Sequence, residues 1–315
     1  MSSEKNGAKT QSPEILKKNI LGHPISLEFA PPGSKIPITE RIDNKDEYVG
    51  SSEFEALVNF GQLFVERGMW DSRVVGSEMW TVSSPPPEGI TILEFSDSEV
   101  KDALAELSMI ARRDFYKNKS DCLRYYHLTN NIYDRIARHR PVRSYGHSTY
   151  FLGLIRAGVI AGEMLGFSVE EQVLMHTKRL HLKGEHKGDI AIGITPHFNS
   201  HRLKEAHGEV LTVGDPAGAT LGSIFGNLLY MEHLGIRPKK VNILNTVVSH
   251  RGAEFALAAI KSLGIDVEIT AGGYSPGMNE RYYLETVQGY PSVGDAGDAL
   301  DGFLPLSLRL LTYDK

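Results

Sequence analysis

Hydrophobic and polar positions alternate most regularly in the last third of the chain. "EVLTVG" at 209–214 reads as a strand, residues 221–234 as a helix and "KVNILNTVV" at 240–248 as a second strand. "GAEFALAAIKSLG" at 252–264 then reads as a second helix and "DVEITAG" at 266–272 as a third strand. Gly235 and Gly264 stand where helices end in a left-handed residue. Strands alternating with helices imply parallel pairing through right-handed crossovers. The predicted fold class is therefore α/β, an open and mostly parallel sheet with helices on both faces and ligands at the carboxyl ends of its strands.

Upstream the pattern is helical and then mixed. "SEVKDALAELSMIARRDFY" carries Val100, Leu104, Leu107 and Ile110 at helical spacing behind Ser98 as N-cap. "LTNNIYDRIARH" predicts a second helix that closes before Pro141, and "TYFLGLIRAGVIAGEMLG" leads into a polar, histidine-rich span at 176–208. In the first eighty residues "FEALVNFGQLFVERG" has helical spacing, whereas "APPGSKIPIT" reads as extended or turn structure because proline restricts its neighbour. "SSPPPEG" at 83–89 favours polyproline geometry and stops either kind of regular element. The expected organisation is a polar, disordered tail at 1–14, an N-terminal extension and linker at 15–89, and the α/β domain at 90–315. No repeat at a fixed period is visible.

Composition narrows the partners. With 315 residues, 41% hydrophobic and 23% charged, the chain is suited to a globular protein with one large core or two modest ones. A formal charge of −5 gives no general electrostatic reason to bind nucleic acid or an anionic membrane. Cys122 is the only cysteine, which rules out an intrachain disulfide and any CxxC motif. The polar N-terminus has no apolar leader core, and no uninterrupted apolar run approaches the roughly 18–20 residues of a membrane span. The expectation is a cytoplasmic protein with a small-molecule substrate.

Candidate chemistry sits in "VLTVGDPAGATLGS", residues 210–223, a strand followed by a tight loop of small residues and a helix. Small residues let backbone N–H groups converge on an anion at a helix N-terminus. The loop lacks the lysine of a Walker loop and the G-x-G-x-x-G of a dinucleotide site. Asp215 is suited to accept hydrogen bonds from sugar hydroxyls, and Thr220, Gly222 and Ser223 to offer donors to a phosphate on the same sugar. The alternative is an ordinary strand-to-helix turn in which Gly218 and Gly222 serve the backbone alone.

Three segments together carry a resemblance. "VGDPAGATLGS" resembles the phosphoribosyl-diphosphate loop of uracil phosphoribosyltransferases, roughly D-P-x-x-A-T-G-G-S. "LIRAG" at 154–158 is similar to that family's Leu-Arg-Ala-Gly pyrophosphate loop, and "PSVGDAGDALDG" at 291–302 to its Pro-Gly-x-Gly-Asp-Ala-Gly-Asp segment. They occur in family order across residues 100–305. The resemblance implies a type I phosphoribosyltransferase fold with a small hood or arm, Mg²⁺ dependence and a homodimer. It implies that Arg156, Ala157 and Gly158 and the loop of Asp215, Pro216, Ala217, Gly218, Ala219, Thr220, Leu221, Gly222 and Ser223 bind phosphoribosyl diphosphate, with Asp215, Arg156 and Asp295 catalytic. Gly289, Tyr290, Gly294, Asp295 and Ala296 would frame the acceptor, and Asp295 would lie near the ribose or a water on the metal. Lys178 and Arg179 in "HTKRLHLKG" are placed near the pyrophosphate by position only, and a solvated basic turn explains them equally.

Breaking the C1–O bond of such a donor builds positive charge on ribose and negative charge on departing pyrophosphate, which hard cations and an arginine neutralise. Two departures bear on the acceptor. Thr220-Leu221-Gly222 replaces Thr-Gly-Gly, losing one position tolerant of positive φ, and Gly289 in "QGYP" stands where the family has a branched apolar residue. A heterocycle other than uracil then fits, with Tyr282, Tyr283 and Tyr290 as stacking surfaces or as plain core or hairpin aromatics. Asp298 and Asp301 read as structural. His197 and His201, with His207, suit zinc if helical, but the span reads more readily as a mobile hood whose His and Lys contact phosphate. Nothing marks Cys122 as a nucleophile. The leading expectation is transfer of 5-phosphoribosyl to a uracil-like or other heterocyclic acceptor. The alternative is a non-catalytic protein of the same fold that senses phosphoribosyl diphosphate or a nucleotide.

Overall fold

The computed structural model describes residues 14–29, 62–66, 86–112, 118–141, 149–181, 190–196, 198–279, 283–286 and 289–304. They belong to two units, residues 1–68 with 178–195 and residues 69–177 with 196–315. Pro86–Gly89, the end of the proline-rich stretch, lead directly into the first strand of the second unit.

In the first unit β1 (Glu14–Ile20) and β2 (His23–Phe29) form an antiparallel hairpin. Ile20 pairs with His23 across Leu21 and Gly22, both at positive φ, the two-residue turn that matches strand twist. Ile25, Leu27 and Phe29 are buried on one face at the two-residue period of a strand. β2 pairs antiparallel with β3 (Gln62–Glu66), and β3 with the seventh strand in chain order, β7 (Ile190–Pro196). The helical spacing of 54–68 is therefore overruled at 62–66. Leu63, Phe64 and Val65 are β-compatible, and backbone pairing on both sides decides the matter. The rest of that stretch lies outside the described residues.

The second unit carries the parallel sheet that the alternation predicts. β4 (Ile90–Ile92), β5 (Thr149–Ile155), β6 (Gln172–His181, to Thr177 within this unit), β8 (Val210–Gly214), β10 (Lys240–Ser249) and β11 (Asp266–Ser275) run in the order β6-β5-β8-β10-β11-β4. All these neighbours are parallel, and β9 (Ala217–Gly218) pairs with β10 beyond the end of β8. Val210 lies level with Thr149 on one side and Lys240 on the other.

Helices form where their sequence signals lie, although the second begins at Lys119 rather than at the predicted Leu128. α1 (Ser98–Ala111) is capped one residue earlier than expected: the Asp97 carboxylate accepts from the N–H groups of Glu99 and Val100 at 3.0 and 3.2 Å. α2 (Lys119–His139) buries Tyr125, Leu128, Thr129, Ile132, Tyr133 and Ile136, a stripe of helical period that packs on β10 and β11. α3 (Ala157–Met164) joins β5 to β6, α4 (Gly222–His233) joins β8 and β9 to β10, and α5 (His250–Ser262) joins β10 to β11. Gly235 and Gly264 take the left-handed conformation after α4 and α5, at φ 72° and 69°. A short α6 (Ala296–Leu300) lies near the C-terminal end of the described chain. No helix among the described residues is long and apolar enough to cross a membrane.

The topology selects one place for chemistry. From β5 the chain passes to β6 on one side, then returns to β8 on the other and continues outward through β10 and β11. The direction of winding reverses between the neighbouring strands β5 and β8, and the crevice beyond the carboxyl ends of such a pair is where open α/β sheets bind ligands. The residues that follow those strands are Arg156 and Asp215.

Candidate functional site

Arg156 is placed by β5, whose Phe151, Leu152, Leu154 and Ile155 are buried, so the strand end is fixed and the next residue emerges at the crevice. The Ile155–Arg156 peptide is cis. Ala157 and Gly158 open α3 directly behind it, half-buried and buried. Arg156 Nη1 donates to Asp298 Oδ1 at 2.6 Å, and Nη2 lies 4.0 Å from Asp295 Oδ1. Burial works against the guanidinium charge, but the hydrogen bond and charge of Asp298, then the charges of Asp295 and Asp301, outweigh it and hold the pKa above its ordinary value. A Cβ at Gly297 would lie 2.9 Å from Arg156 Nη2 and 3.0 Å from Asp295 Oδ1, so the absence of a side chain there leaves room for the guanidinium beside the acids.

The second arm of the crevice is the loop after β8. Asp215 is half-buried, and its Oδ1 accepts from Ala217 N at 3.2 Å. Pro216 leads into β9, where Ala217 and Gly218 lie level with Val247 and Val248. Ala219 and Thr220 are buried, and Thr220 Oγ1 accepts from Gly222 N at 3.1 Å. Leu221 is the N-cap of α4, with φ 55° and ψ 13°. The left-handed position that the sequence loses as a glycine is therefore kept as a conformation, held by a leucine that is 4% exposed. Gly222 and half-buried Ser223 begin the helix, so the first-turn N–H groups of α4 follow immediately on the loop.

The third arm, residues 289–301, is anchored by two helices. Ser108 Oγ donates to the Pro291 carbonyl and Tyr125 Oη to the Val293 carbonyl, each at 3.0 Å. Asp295 caps α6, its Oδ1 accepting from Asp298 N at 3.0 Å, while Tyr283 Oη donates to its Oδ2 at 3.1 Å. Gly294 has φ 62° just ahead of it, and Ala296 is buried. Gly289, at φ 75°, belongs to a tight turn in which its N–H donates to Thr286 O at 2.9 Å. The ring of Tyr290 lies 4.1 Å beneath the Arg112 guanidinium at the end of α1. Tyr283 touches Asp295, and Tyr282 lies outside the described residues.

Buried Tyr125 links the arms electrostatically. Its phenol is pushed up first by burial and then by the charges of Asp295 and Asp215. Tyr133, about two helical turns further on, is raised by burial and then by Asp215. The two carboxylates after β8 and before α6 thus act on one phenol. Ser108 and Tyr125 went unread in the sequence because a serine and a tyrosine on helix faces look like ordinary surface and core positions. The only signal is that Tyr125 falls on the buried stripe of α2.

Other candidates fall elsewhere. Lys178 and Arg179 belong by backbone to β6, and their side chains lie outside the described residues, as does His197. His201 lies in a short 3₁₀ turn at Ser200–Ala206, and His207 Nδ1 accepts from Arg237 N at 3.1 Å. Among the described residues no group of three His, Cys, Asp or Glu is arranged to hold a metal. A divalent ion at the crevice would draw on one or two carboxylates, which fits Mg²⁺, an ion that keeps several waters and takes its remaining ligands from substrate phosphates. Cys122 is half-buried, and burial followed by Asp121 pushes its thiol up, away from thiolate character.

No family model matches the chain, and no curated protein matches it. Among solved structures, the chain is similar to the AQ2163 protein of Aquifex aeolicus (18% identity, 67% of this chain and 97% of that one, TM-score 0.43). It is similar to adenine phosphoribosyltransferase from Leishmania donovani (15% identity, 71% and 99%, TM-score 0.40). A third is orotate phosphoribosyltransferase of Mycobacterium tuberculosis in complex with 5-phospho-α-D-ribosyl 1-diphosphate (14% identity, 56% and 93%, TM-score 0.32). Likeness of this size assigns neither family nor activity, and the functional reading rests on this chain's own residues.

Proposed function

We propose that the protein is a Mg²⁺-dependent phosphoribosyltransferase that moves 5-phosphoribosyl from its diphosphate to a uracil-like or other heterocyclic acceptor, releasing pyrophosphate. One observation carries the reading. The Arg156 turn and the Asp295–Asp298 segment, about 140 residues apart, meet through a 2.6 Å bond beside the reversal in sheet order, and Asp215 follows the other strand of that reversal. In this reading the carboxylate of Asp215 accepts hydrogen bonds from ribose hydroxyls. The backbone and hydroxyls of 217–223 hold the 5-phosphate at the start of α4. Arg156 exchanges its bond with Asp298 for one to the diphosphate, neutralising charge as the C1–O bond breaks. Mg²⁺, when bound, supplies further neutralisation of the leaving group. Backbone groups of Gly294–Ala296 meet the flat edge of the acceptor. With no side chain at Gly289, the proposed acceptor is a ring other than uracil.

The test is incubation with phosphoribosyl diphosphate, Mg²⁺ and a panel of nucleobases and analogues, with pyrophosphate measured. Acceptor-dependent release, abolished or greatly reduced by Asp215→Asn, is the expected result. Tight binding of phosphoribosyl diphosphate without release for any acceptor would instead assign the protein as a sensor.

A further inference from the structure

We infer that Asn245 and Ser249, on β10, are positioning residues that strap the loop 215–222 into its anion-receiving shape by drawing its carbonyl oxygens into the fold. The inference rests on the reading of that loop as a phosphate site. Asn245 is fully buried, and its Nδ2 donates to the Asp215 carbonyl at 2.6 Å. Ser249 is 1% exposed, and its hydroxyl donates to the Ala219 carbonyl. The two donors are four residues apart on one strand, so both project from the same face of β10. Backbone bonds fill the gap: Asp215 N donates to Leu244 O at 3.0 Å and Val247 N to Pro216 O at 3.1 Å. Ala217 O and Leu221 O accept from Ala219 N and Phe225 N, each at 3.0 Å.

The carbonyls of residues 215, 216, 217, 219 and 221 are therefore all engaged within the fold. A carbonyl oxygen left facing an anion repels it, and turning these carbonyls into the fold removes that repulsion from the loop's outer side. Ser249 does a second job as the N-cap of α5, accepting from Gly252 N at 2.9 Å, so a single hydroxyl joins the loop to the first turn of that helix. Neither residue has a motif of its own; an asparagine inside a strand and a serine at its end read as plain edge chemistry.

Hydrogen exchange at 217–223, calorimetry with ribose 5-phosphate and steady-state kinetics on Asn245→Ala, Ser249→Ala and Ser249→Thr test the strap. In both alanine variants the loop amides should exchange roughly three- to tenfold faster, the size of one intramolecular hydrogen bond. The Kd for ribose 5-phosphate and the KM for phosphoribosyl diphosphate should rise by a similar factor while kcat falls less. Ser249→Thr, which keeps the hydroxyl, should restore wild-type values. Unchanged loop exchange and affinity in both alanine variants would overturn the inference. So would acceleration spread equally over β5 and the loop, which would make the two residues plain core. A wild-type protein that binds no ribose 5-phosphate overturns the phosphoribosyl reading instead, and the exchange rates still decide whether the strap shapes the loop.

Discussion

Arg156 Nη1 and Asp298 Oδ1 are 2.6 Å apart, although they come from the end of β5 and the first turn of α6. Both side chains are partly exposed, 30% and 45%, so the pair contributes only about 0–1 kcal/mol to stability. Its consequence is placement: Asp298 holds the guanidinium at the crevice.

Kinetics should separate that role from a structural one. Arg156→Ala is expected to lower kcat/KM for pyrophosphate release roughly 10- to 100-fold, the size of a lost charge-assisted bond to the leaving group. Asp298→Ala should lower it less, and the melting temperature of either variant should stay within a few degrees of wild type. A large fall in melting temperature with normal kinetics would make the pair a structural staple.

Leu221 sets two opposing magnitudes against each other. Its left-handed backbone costs roughly 1–2 kcal/mol relative to glycine. Removing its buried side chain costs about 2–5 kcal/mol by comparison with other core truncations, and glycine adds about 0.5–1 kcal/mol of chain entropy. Leu221→Gly should therefore destabilise the protein by about 0.5–5 kcal/mol in urea unfolding, the net of those terms. A gain in stability would mean that the leucine is strained without being well packed.

The parts legible in the sequence were those whose chemistry is contiguous. Asp215 to Ser223, Leu154 to Gly158 and Gly294 to Asp298 are each one short contiguous segment, and the alternation of strand and helix indicates which end of the sheet the first two occupy. What escaped the reading depends on distant partners. β3 at Gln62–Glu66 became a strand because β2 and β7 flank it, which no local period records. Asp97 displaced Ser98 as the cap because both residue types suit that position and only the chain direction entering α1 distinguishes them. The bond from Arg156 to Asp298 was missed for a related reason: Asp298 reads as a turn acid until an arginine from a far strand is brought beside it.

Gly252 packs α5 against the loop. A Cβ there would lie 2.0 Å from Ala219 O and 2.6 Å from Ser249 Oγ, and a backbone carbonyl cannot yield as a flexible side chain can. Gly252→Ala should push the loop away from β10 and weaken ribose 5-phosphate binding at least tenfold by calorimetry, an effect on the order of 1.4 kcal/mol. Gly166→Ala, at a surface turn with φ 83° and open space around it, should lower stability without changing that affinity.

His250 gives the loop's neighbourhood a pH dependence. Burial, and then the charge of Arg251, push its imidazole down to about 4 from an ordinary 6.5. Glu254 Oε1 lies 3.2 Å from Nε2, and the Tyr274 ring meets the imidazole edge-on at 5.4 Å. The native side chain is therefore neutral where an unfolded one is charged. Between about pH 6.5 and 4 the unfolded chain takes up a proton that the native state does not, so stability present above that window is lost as pH falls through it and levels off below. At roughly 1.4 kcal/mol per unit the loss approaches about 3 kcal/mol. Carboxylates titrate in the lower part of the same range, which makes the informative quantity a difference between two proteins. In urea unfolding from pH 7 to 4.5 the wild type should lose about 2–3 kcal/mol more than His250→Gln, whose side chain carries no charge at either pH. Parallel curves for the two would mean that the imidazole is charged in the native state, with Glu254 rather than burial setting its protonation.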